Sequence, residues 1–180
     1  AGGKRLQAIK TEPAVSSAEV QSRFDEWVGG GKAEGLVVRA GDGRVFKVKP
    51  AMTIDAAVVG YTQRTDAPSQ ARSLLLAVMR ADDSFQLIGS VGNLGSDADR
   101  EALGAQLSGL ACDSAYHYAS SSGAVYRFVK PEVVVEVRVS DLQAFDSSDA
   151  PIQRMVLDYS EAWQALRKMP GVSLIHPVLE

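Results

Sequence analysis

The chain has 180 residues, of which 46% are hydrophobic and 23% charged, a composition typical of a globular protein with one or two domains. No apolar run approaches the ~20 residues that span a membrane. Cys112 is the only cysteine and the two histidines are far apart, which argues against an internal disulfide and against a zinc site. The N-terminus lacks the apolar segment of a signal peptide.

Charge is distributed unevenly along the chain. Residues 1–54 carry nine Lys and Arg against six Asp and Glu (+3), whereas residues 55–180 carry ten against sixteen (−6). An anion-binding site is therefore expected in the first segment. The acidic second segment argues mildly against tight nucleic-acid binding by that part alone.

The first segment predicts a strand, a helix and a hairpin. Residues 4–11 alternate polar and apolar, which is typical of a strand. Ser16 and Glu19 have capping-box spacing at the start of a helix that ends at glycines 29–31. Strands at 34–40 and 44–50 then flank Gly-Asp-Gly, a strong hairpin signal.

The second segment predicts several short strands around one helix. Strands are expected at 54–64, 73–81, 85–91, 116–129, 132–139, 152–159 and 172–175, a helix at 96–110, and a short helix or turn at 160–169. This order favours a small Greek-key barrel such as an OB-fold. We place a domain boundary so that residues 1–53 and 54–180 form separate domains. The predicted fold class is α+β, with a second domain that is mostly β.

The register of the hairpin decides where its charges point. A two-residue Asp42-Gly43 turn would pair Val38 with Lys47 and place Glu34 on the same face as Lys47 and Lys49, whereas a three-residue loop would place Glu34 on the other face. We favour the two-residue turn. The shared face would suit a nucleoside triphosphate with its metal. The alternative is a solvated strand face with ordinary charge pairs.

Five motifs in collinear order resemble ATP-dependent DNA ligases over nearly the whole chain. The runs EGLVVR at 34–39 and KVKP at 47–50 are similar to nucleotidyltransferase motifs IV and V. The runs TIDAAVVGY at 53–61, GSVGNLGS at 89–96 and VKPEVVVEV at 129–137 resemble stretches of the ligase OB domain. The chain thus resembles the C-terminal piece of a nucleotidyltransferase (adenylation) domain followed by an OB-fold barrel with one helix.

The resemblance implies roles for individual residues. Lys47 and Lys49 would contact the phosphates of ATP and then the adenylate, as catalytic and nucleotide-binding residues. Glu34 would bind the catalytic Mg²⁺ or order the nucleotide site. Asp55 matches the hinge about which the OB domain swings. The implied partners are nicked duplex DNA, sealed through enzyme–AMP and DNA–adenylate intermediates in DNA repair, and no membrane. The implied location is cytoplasmic or nucleoid-associated.

Two departures limit that implication. The K-x-D-G motif that carries the adenylated lysine is not found upstream of the hairpin, and KAEG at 32–35 imitates it too close to motif V. The basic residues of motif VI are missing after HPVLE at 176–180. We therefore expect no activity without an N-terminal ligase chain or domain that supplies the lysine.

Other interpretations stay open. The chain could be a non-catalytic OB-type module that binds nucleic acid or protein, or a fragment of an RNA ligase or capping-type nucleotidyltransferase. Arg64, Arg72 and Arg80 could contact DNA phosphates, although solvated arginines are the ordinary expectation.

Overall fold

A computed structural model describes residues 8–120 and 122–180, and the chain forms two compact units, Ala1–Pro50 and Ala51–Glu180. The predicted strand at 4–11 lies partly outside the described residues. Its remaining part, residues 8–11, has no regular secondary structure. Among the described residues, no helix is long and apolar enough to cross a membrane.

The first unit contains one helix and one hairpin. Helix α1 (Ser17–Phe24) starts where the sequence predicts, because the Ser16 hydroxyl accepts a hydrogen bond from the Glu19 amide. A π-helical turn (Asp25–Gly29) follows it. The Trp27 carbonyl accepts hydrogen bonds from two backbone amides that follow this turn. Strands β1 (Leu36–Arg39) and β2 (Val45–Val48) then pair antiparallel.

The hairpin adopts the register that we did not favour. Val37 lies opposite Lys47, and the Ala40 amide donates to the Arg44 carbonyl at 2.9 Å, so that three residues form the loop. Gly43 has φ +87°, where only glycine is relaxed. The Asp42 carboxylate accepts from the Arg44 amide at 3.1 Å and stabilises this wider turn. The predicted two-residue turn is therefore wrong.

The second unit is a closed five-stranded barrel. Its strands are β3 (Met52–Gln63), β4 (Ala71–Met79), β5 (Phe85–Val91), β7 (Val134–Val139) and β12 (Val178–Leu179). Hydrogen bonds link them in the order β12-β7-β3-β4-β5. A parallel bridge between Asn93 and Val178 joins the two ends, supported by the Leu179 amide donating to the Asn93 carbonyl at 3.0 Å. Helix α2 (Asp97–Ser108) lies between β5 and β7 in the chain. The predicted OB-fold is confirmed.

Further strands extend this unit. Strand β6 (Arg127–Phe128) pairs with β3, and β8 (Asp141–Gln143) pairs with β11 (Ser173–Ile175). Strands β9 (Gln153–Tyr159) and β10 (Trp163–Pro170) form a hairpin that pairs with the start of β5 through β9.

Two apolar layers explain why β3 and β4 are buried on both faces. One layer fills the barrel and includes Ala56, Val58, Tyr61, Leu74, Leu76, Val91, Leu107 and Val137. The other covers the outer face and includes Ala57, Val59, Leu75, Ala77, Leu87, Phe128, Leu157 and Trp163. Successive side chains of a strand point to opposite faces. A strand that packs on both sides therefore needs the nearly continuous apolar run that these two strands have.

Two predicted elements are wrong. Residues 116–120 and 122–129 are mostly irregular, although Tyr126 and Phe128 pack onto the outer layer. Residues 160–169, predicted as a short helix or turn, include most of β10, whose Trp163 is fully buried and donates its indole N–H to the Val129 carbonyl at 2.8 Å.

Candidate functional site

The hairpin of the first unit brings one carboxylate to one of the two predicted lysines. The Lys49 ammonium donates to a carboxylate oxygen of Glu34. Glu34 lies in a bend just before β1 rather than inside the strand, so the unfavoured register does not keep its side chain from Lys49. This hydrogen bond, followed by the attraction between the two charges, holds the pKa of Glu34 below its ordinary value.

Gly35 explains how Glu34 reaches across. A Cβ atom on Gly35 would lie 2.6 Å from the Val48 carbonyl oxygen, far inside contact distance. The missing side chain therefore lets the start of β1 approach the backbone of β2, and any larger residue would push the two apart. The Glu-Gly pair of the motif thus has a physical reason: the glycine permits the approach, and the glutamate before it then meets Lys49.

Lys47 remains free on the open face of the hairpin. It is exposed, lies opposite Val37, and takes part in no ion pair within residues 8–120 and 122–180. Lys49 is the residue directly after β2, two positions beyond Lys47, and in an extended chain this spacing directs two side chains to the same face. The structure therefore joins Glu34 to Lys49 and leaves Lys47 as a separate ammonium group beside them.

A metal ion would find a single carboxylate at this place. No group of three or more His, Cys, Asp and Glu residues in the described ranges could hold a metal ion. Glu34 has an 85% exposed side chain, and only one of its oxygens accepts from Lys49. Mg²⁺ is commonly bound through one or two carboxylates together with substrate phosphates and water. Glu34 alone is the smallest protein contribution that this mode of binding requires, so a Mg²⁺ site at Glu34 stays a prediction.

Asp55 lies on β3, not in the connection between the two units. It is exposed and lies directly opposite Glu136 of β7. Like charges that face each other across strands repel. This acidic pair could not be predicted from the sequence, because Glu136 is distant from Asp55 along the chain.

A third cluster, on the second unit, combines residues that the sequence did not group. An open groove of about 520 Å³ is lined by three arginines and one carboxylate together with small polar residues: Arg64, Arg72, Arg100, Asp66, Thr65, Ser73 and Gly92. We call it the arginine groove. Arg80, the third arginine of the sequence-based set, instead pairs with Asp82 in the turn between β4 and β5. Arg100 was missed, because only the seating of α2 beside β4 brings it to this place.

The five-stranded barrel is the fold that the resemblance to DNA ligases predicts for the second unit. The sequence model described as "ATP dependent DNA ligase C terminal region" matches residues 67–178, which is more than half of the chain. The chain belongs to this family. This confirms the resemblance drawn from the motifs.

Similar solved structures include two with a TM-score above 0.5, which support the fold. The ligase domain of M. tuberculosis LigD is 23% identical, with a TM-score of 0.45, and the match covers 74% of this chain and 44% of that one. Two structures titled Pmar-Lig_PreS3 and Pmar-Lig_Pre are each 15% identical with a TM-score of 0.52, covering 91% of this chain and 31% of theirs. The chain thus spans less than half the length of each. No curated protein sequence matches it.

Proposed function

We propose that this chain supplies the phosphate-binding hairpin and the OB domain of an ATP-dependent DNA ligase that seals nicks in duplex DNA. The observation that carries the proposal is the pairing of Glu34 with Lys49 beside the free Lys47, in the unit that precedes a barrel of the ligase family. The domain division, 1–53 for the nucleotidyltransferase part and 54–180 for the OB part, belongs to the same proposal.

Ligation consists of three transfers at phosphorus. A lysine amine attacks the α-phosphate of ATP and releases pyrophosphate; the AMP then passes to a DNA 5′-phosphate; the neighbouring 3′-hydroxyl finally attacks that phosphate and releases AMP. Such steps depend on positioning and on neutralising charge at the phosphate oxygens. The two lysines of the hairpin are ammonium donors suited to that task.

The residues of the hairpin have different roles in this proposal. Lys47 has no competing carboxylate in the described ranges and contacts the phosphates directly. Glu34 orients Lys49 toward the same face and would also hold Mg²⁺ through its free oxygen, and this ion would add charge neutralisation. Asp55 acts near the hinge, where repulsion from Glu136 eases a rearrangement at this end of β3. The nucleophilic lysine comes from an N-terminal ligase segment or chain, since KAEG at 32–35 lies too close to the hairpin.

A second candidate is a non-catalytic OB module. The observation that favours it is the position of the family match, residues 67–178, which lies wholly in the second unit and includes none of the hairpin. Such a module would bind nucleic acid or protein through the barrel and would need no nucleotide. It predicts that changes in the hairpin leave its function unaltered.

The test is adenylation in trans. The chain is incubated with ATP labelled at the α-phosphate and with Mg²⁺, alone and with an N-terminal ligase fragment that carries a K-x-D-G lysine. We expect label on the fragment only when both are present. Lys47→Ala and Lys49→Ala should each lower the rate by on the order of a hundredfold, as for other groups that stabilise developing charge.

Controls separate chemistry from folding. Lys168→Ala removes an equally exposed lysine from β10 and should leave the rate unchanged. Lys32→Ala should also leave it unchanged, because Lys32 is not the nucleophile. Melting temperatures of all variants should agree within about 2 °C, since exposed substitutions change stability little. Two results would refute the proposal in favour of the module. One is labelling of the fragment that does not depend on the chain; the other is a loss of rate in Lys47→Ala and Lys49→Ala that is accompanied by a matching fall in melting temperature.

A further inference from the structure

One arginine of the arginine groove has a side chain that makes neither an ion pair nor a hydrogen bond in the part of the chain that the structure describes. Arg72 is exposed at the start of β4, and within residues 8–120 and 122–180 it takes part in no ion pair and donates no side-chain hydrogen bond. The pairing of β3 with β4 shifts here, from Thr62 opposite Ser73 to Gln63 opposite Ala71, so Arg72 is the extra residue of a β-bulge. Bulges redirect a side chain and often lie beside binding sites.

The other two arginines fix the frame of the groove. Arg100 on α2 donates to the Arg72 carbonyl at 3.3 Å and to the Gly92 carbonyl at 2.9 Å. It therefore holds the bulge backbone, from which the Arg72 side chain projects, against the loop that follows β5. Because these acceptors are neutral, the charge of Arg100 is not cancelled by a carboxylate.

Arg64 forms ion pairs with two carboxylates beside the groove. It donates to Asp66 at 2.7 Å and to Asp97, the first residue of α2, at 3.3 Å. The hydrogen bond from Arg64 lowers the pKa of Asp66 to about 2, so that this carboxylate stays charged and keeps its partner in place. Two of the three guanidinium groups are thus structural, and Arg72 is left as the cation available to a ligand.

The net charge of the surrounding segment affects how the arginine groove can bind a polyanion. The chain from residue 55 onward has a net charge of −6, which repels a polyanion overall. A cationic groove in such a segment therefore attracts a polyanion only at short range and in one orientation. The guanidinium group is planar and presents paired N–H donors, a geometry that matches the oxygens of a phosphate.

We propose that Arg72 binds a backbone phosphate of duplex DNA in the arginine groove, while Arg64 and Arg100 hold the groove open. The DNA in this inference rests on the proposed function. The groove itself does not, since its geometry belongs to the barrel alone. Phosphate contacts fix the register of a protein on the duplex without reading its sequence. Arg72 would therefore position the OB domain on the nicked substrate.

The experiment measures binding of the full chain to a fluorescent nicked duplex at 50–200 mM salt. Loss of one phosphate contact should lower the slope of log K against log salt by about one. We expect Arg72→Ala to weaken binding by roughly tenfold at 50 mM and about threefold at 200 mM, because a slope change of about one makes the effect roughly three times smaller over this range of salt. Arg72→Lys keeps the charge and should restore most of the affinity.

Arg167→Ala is the matched control. Arg167 is also exposed, but it lies near Asp82, beyond the far end of β4, roughly 25 Å away at the rise of a strand. Its loss removes the same charge from the same unit and should leave the salt slope unchanged. Equal effects of Arg72→Ala and Arg167→Ala would overturn the inference, because only net charge would then matter.

Two further results separate this inference from the proposed function. If the wild-type chain fails to bind the duplex, the inference fails, whereas adenylation in trans still decides the role of the hairpin. A second arm adds inorganic phosphate alone and measures the melting temperature. Stabilisation of the wild type but not of Arg72→Ala, without DNA binding, would show a free-anion site and overturn the assignment to DNA.

Discussion

Replacing Gly104 with Ala tests how helix α2 is seated on the barrel. Gly104 is buried in the middle of the helix, where glycine is normally about 1 kcal/mol less favourable than alanine. A Cβ at this position would lie only 2.0 Å from the Ser69 carbonyl oxygen. Reaching an ordinary contact of 3.4 Å would require helix and loop to separate by about 1.4 Å.

The loop cannot move away freely. The Arg64 amide donates to the Gln70 carbonyl at 3.1 Å, and the Gln63 side chain donates to the Pro68 carbonyl at 2.6 Å. Overpacking of this kind costs about 1–3 kcal/mol. We expect Gly104→Ala to lower the free energy of unfolding by about 2 kcal/mol, against the sign of helix propensity. The melting temperature should fall by about 4–8 °C for a chain of this size.

Urea unfolding followed by tryptophan fluorescence measures the effect. In a Trp27→Phe background, Trp163 reports on the second unit alone, because the chain has only two tryptophans. Gly109→Ala is the matched control at the end of the same helix: its Cβ would lie 3.5 Å from the nearest atom, the Gln106 carbonyl oxygen. We expect this control to be neutral or up to about 1 kcal/mol more stable. A Gly104→Ala protein as stable as the control would refute the close seating of α2.

Two further predictions concern single contacts. Trp163→Phe removes the donor to the buried Val129 carbonyl. Because it also removes the fluorescent reporter of the second unit, urea unfolding is followed by circular dichroism, and its midpoint should fall by an amount equivalent to about 1–3 kcal/mol. A change below about 0.5 kcal/mol would show that the hydrogen bond is dispensable. Asp66 has a folded pKa of about 2 against 3.8 for the free group, so its stabilising contribution is complete above pH 3.8 and is lost as the pH falls towards 2. Asp66→Asn should therefore lower the melting temperature at pH 5 but not at pH 2, and an equal difference at both values would exclude the charge as the cause.

The sequence predicted the barrel well where one physical signal dominated. Strands β3, β4 and β5 are apolar along their buried stretches because both faces pack, and Ser96 begins α2 with a hydroxyl that accepts from the Asp99 amide. Residues 160–169 were misread because Glu, Ala, Gln, Leu, Arg and Lys favour helices in isolation. Pairing with β9 and the burial of Trp163 override that local preference.

The candidate sites show the same division. The charges of the hairpin and its resemblance to ligase motifs made Glu34, Lys47 and Lys49 candidates, but the sequence allowed two turn geometries. The structure distinguishes them by the pairing of Ala40 with Arg44 and the positive φ of Gly43. The arginine groove could not be predicted. It depends on a one-residue bulge at Arg72 and on Arg100, which belongs to a helix elsewhere in the chain. Neither a bulge nor the rotation of a helix about its axis has a reliable signature in one sequence.

We expect the parallel bridge between Asn93 and Val178 to limit the rate at which the second unit folds. The β3–β4 and β4–β5 hairpins join neighbours in the chain and can assemble early, whereas this seam joins segments separated by most of the unit. Such non-local pairing slows folding toward the millisecond-to-second range. Until it forms, the end of β5 and β12 both offer unpaired backbone groups to other molecules. Aggregation during refolding should therefore increase when Leu179 is replaced by proline, which lacks the amide that donates to the Asn93 carbonyl.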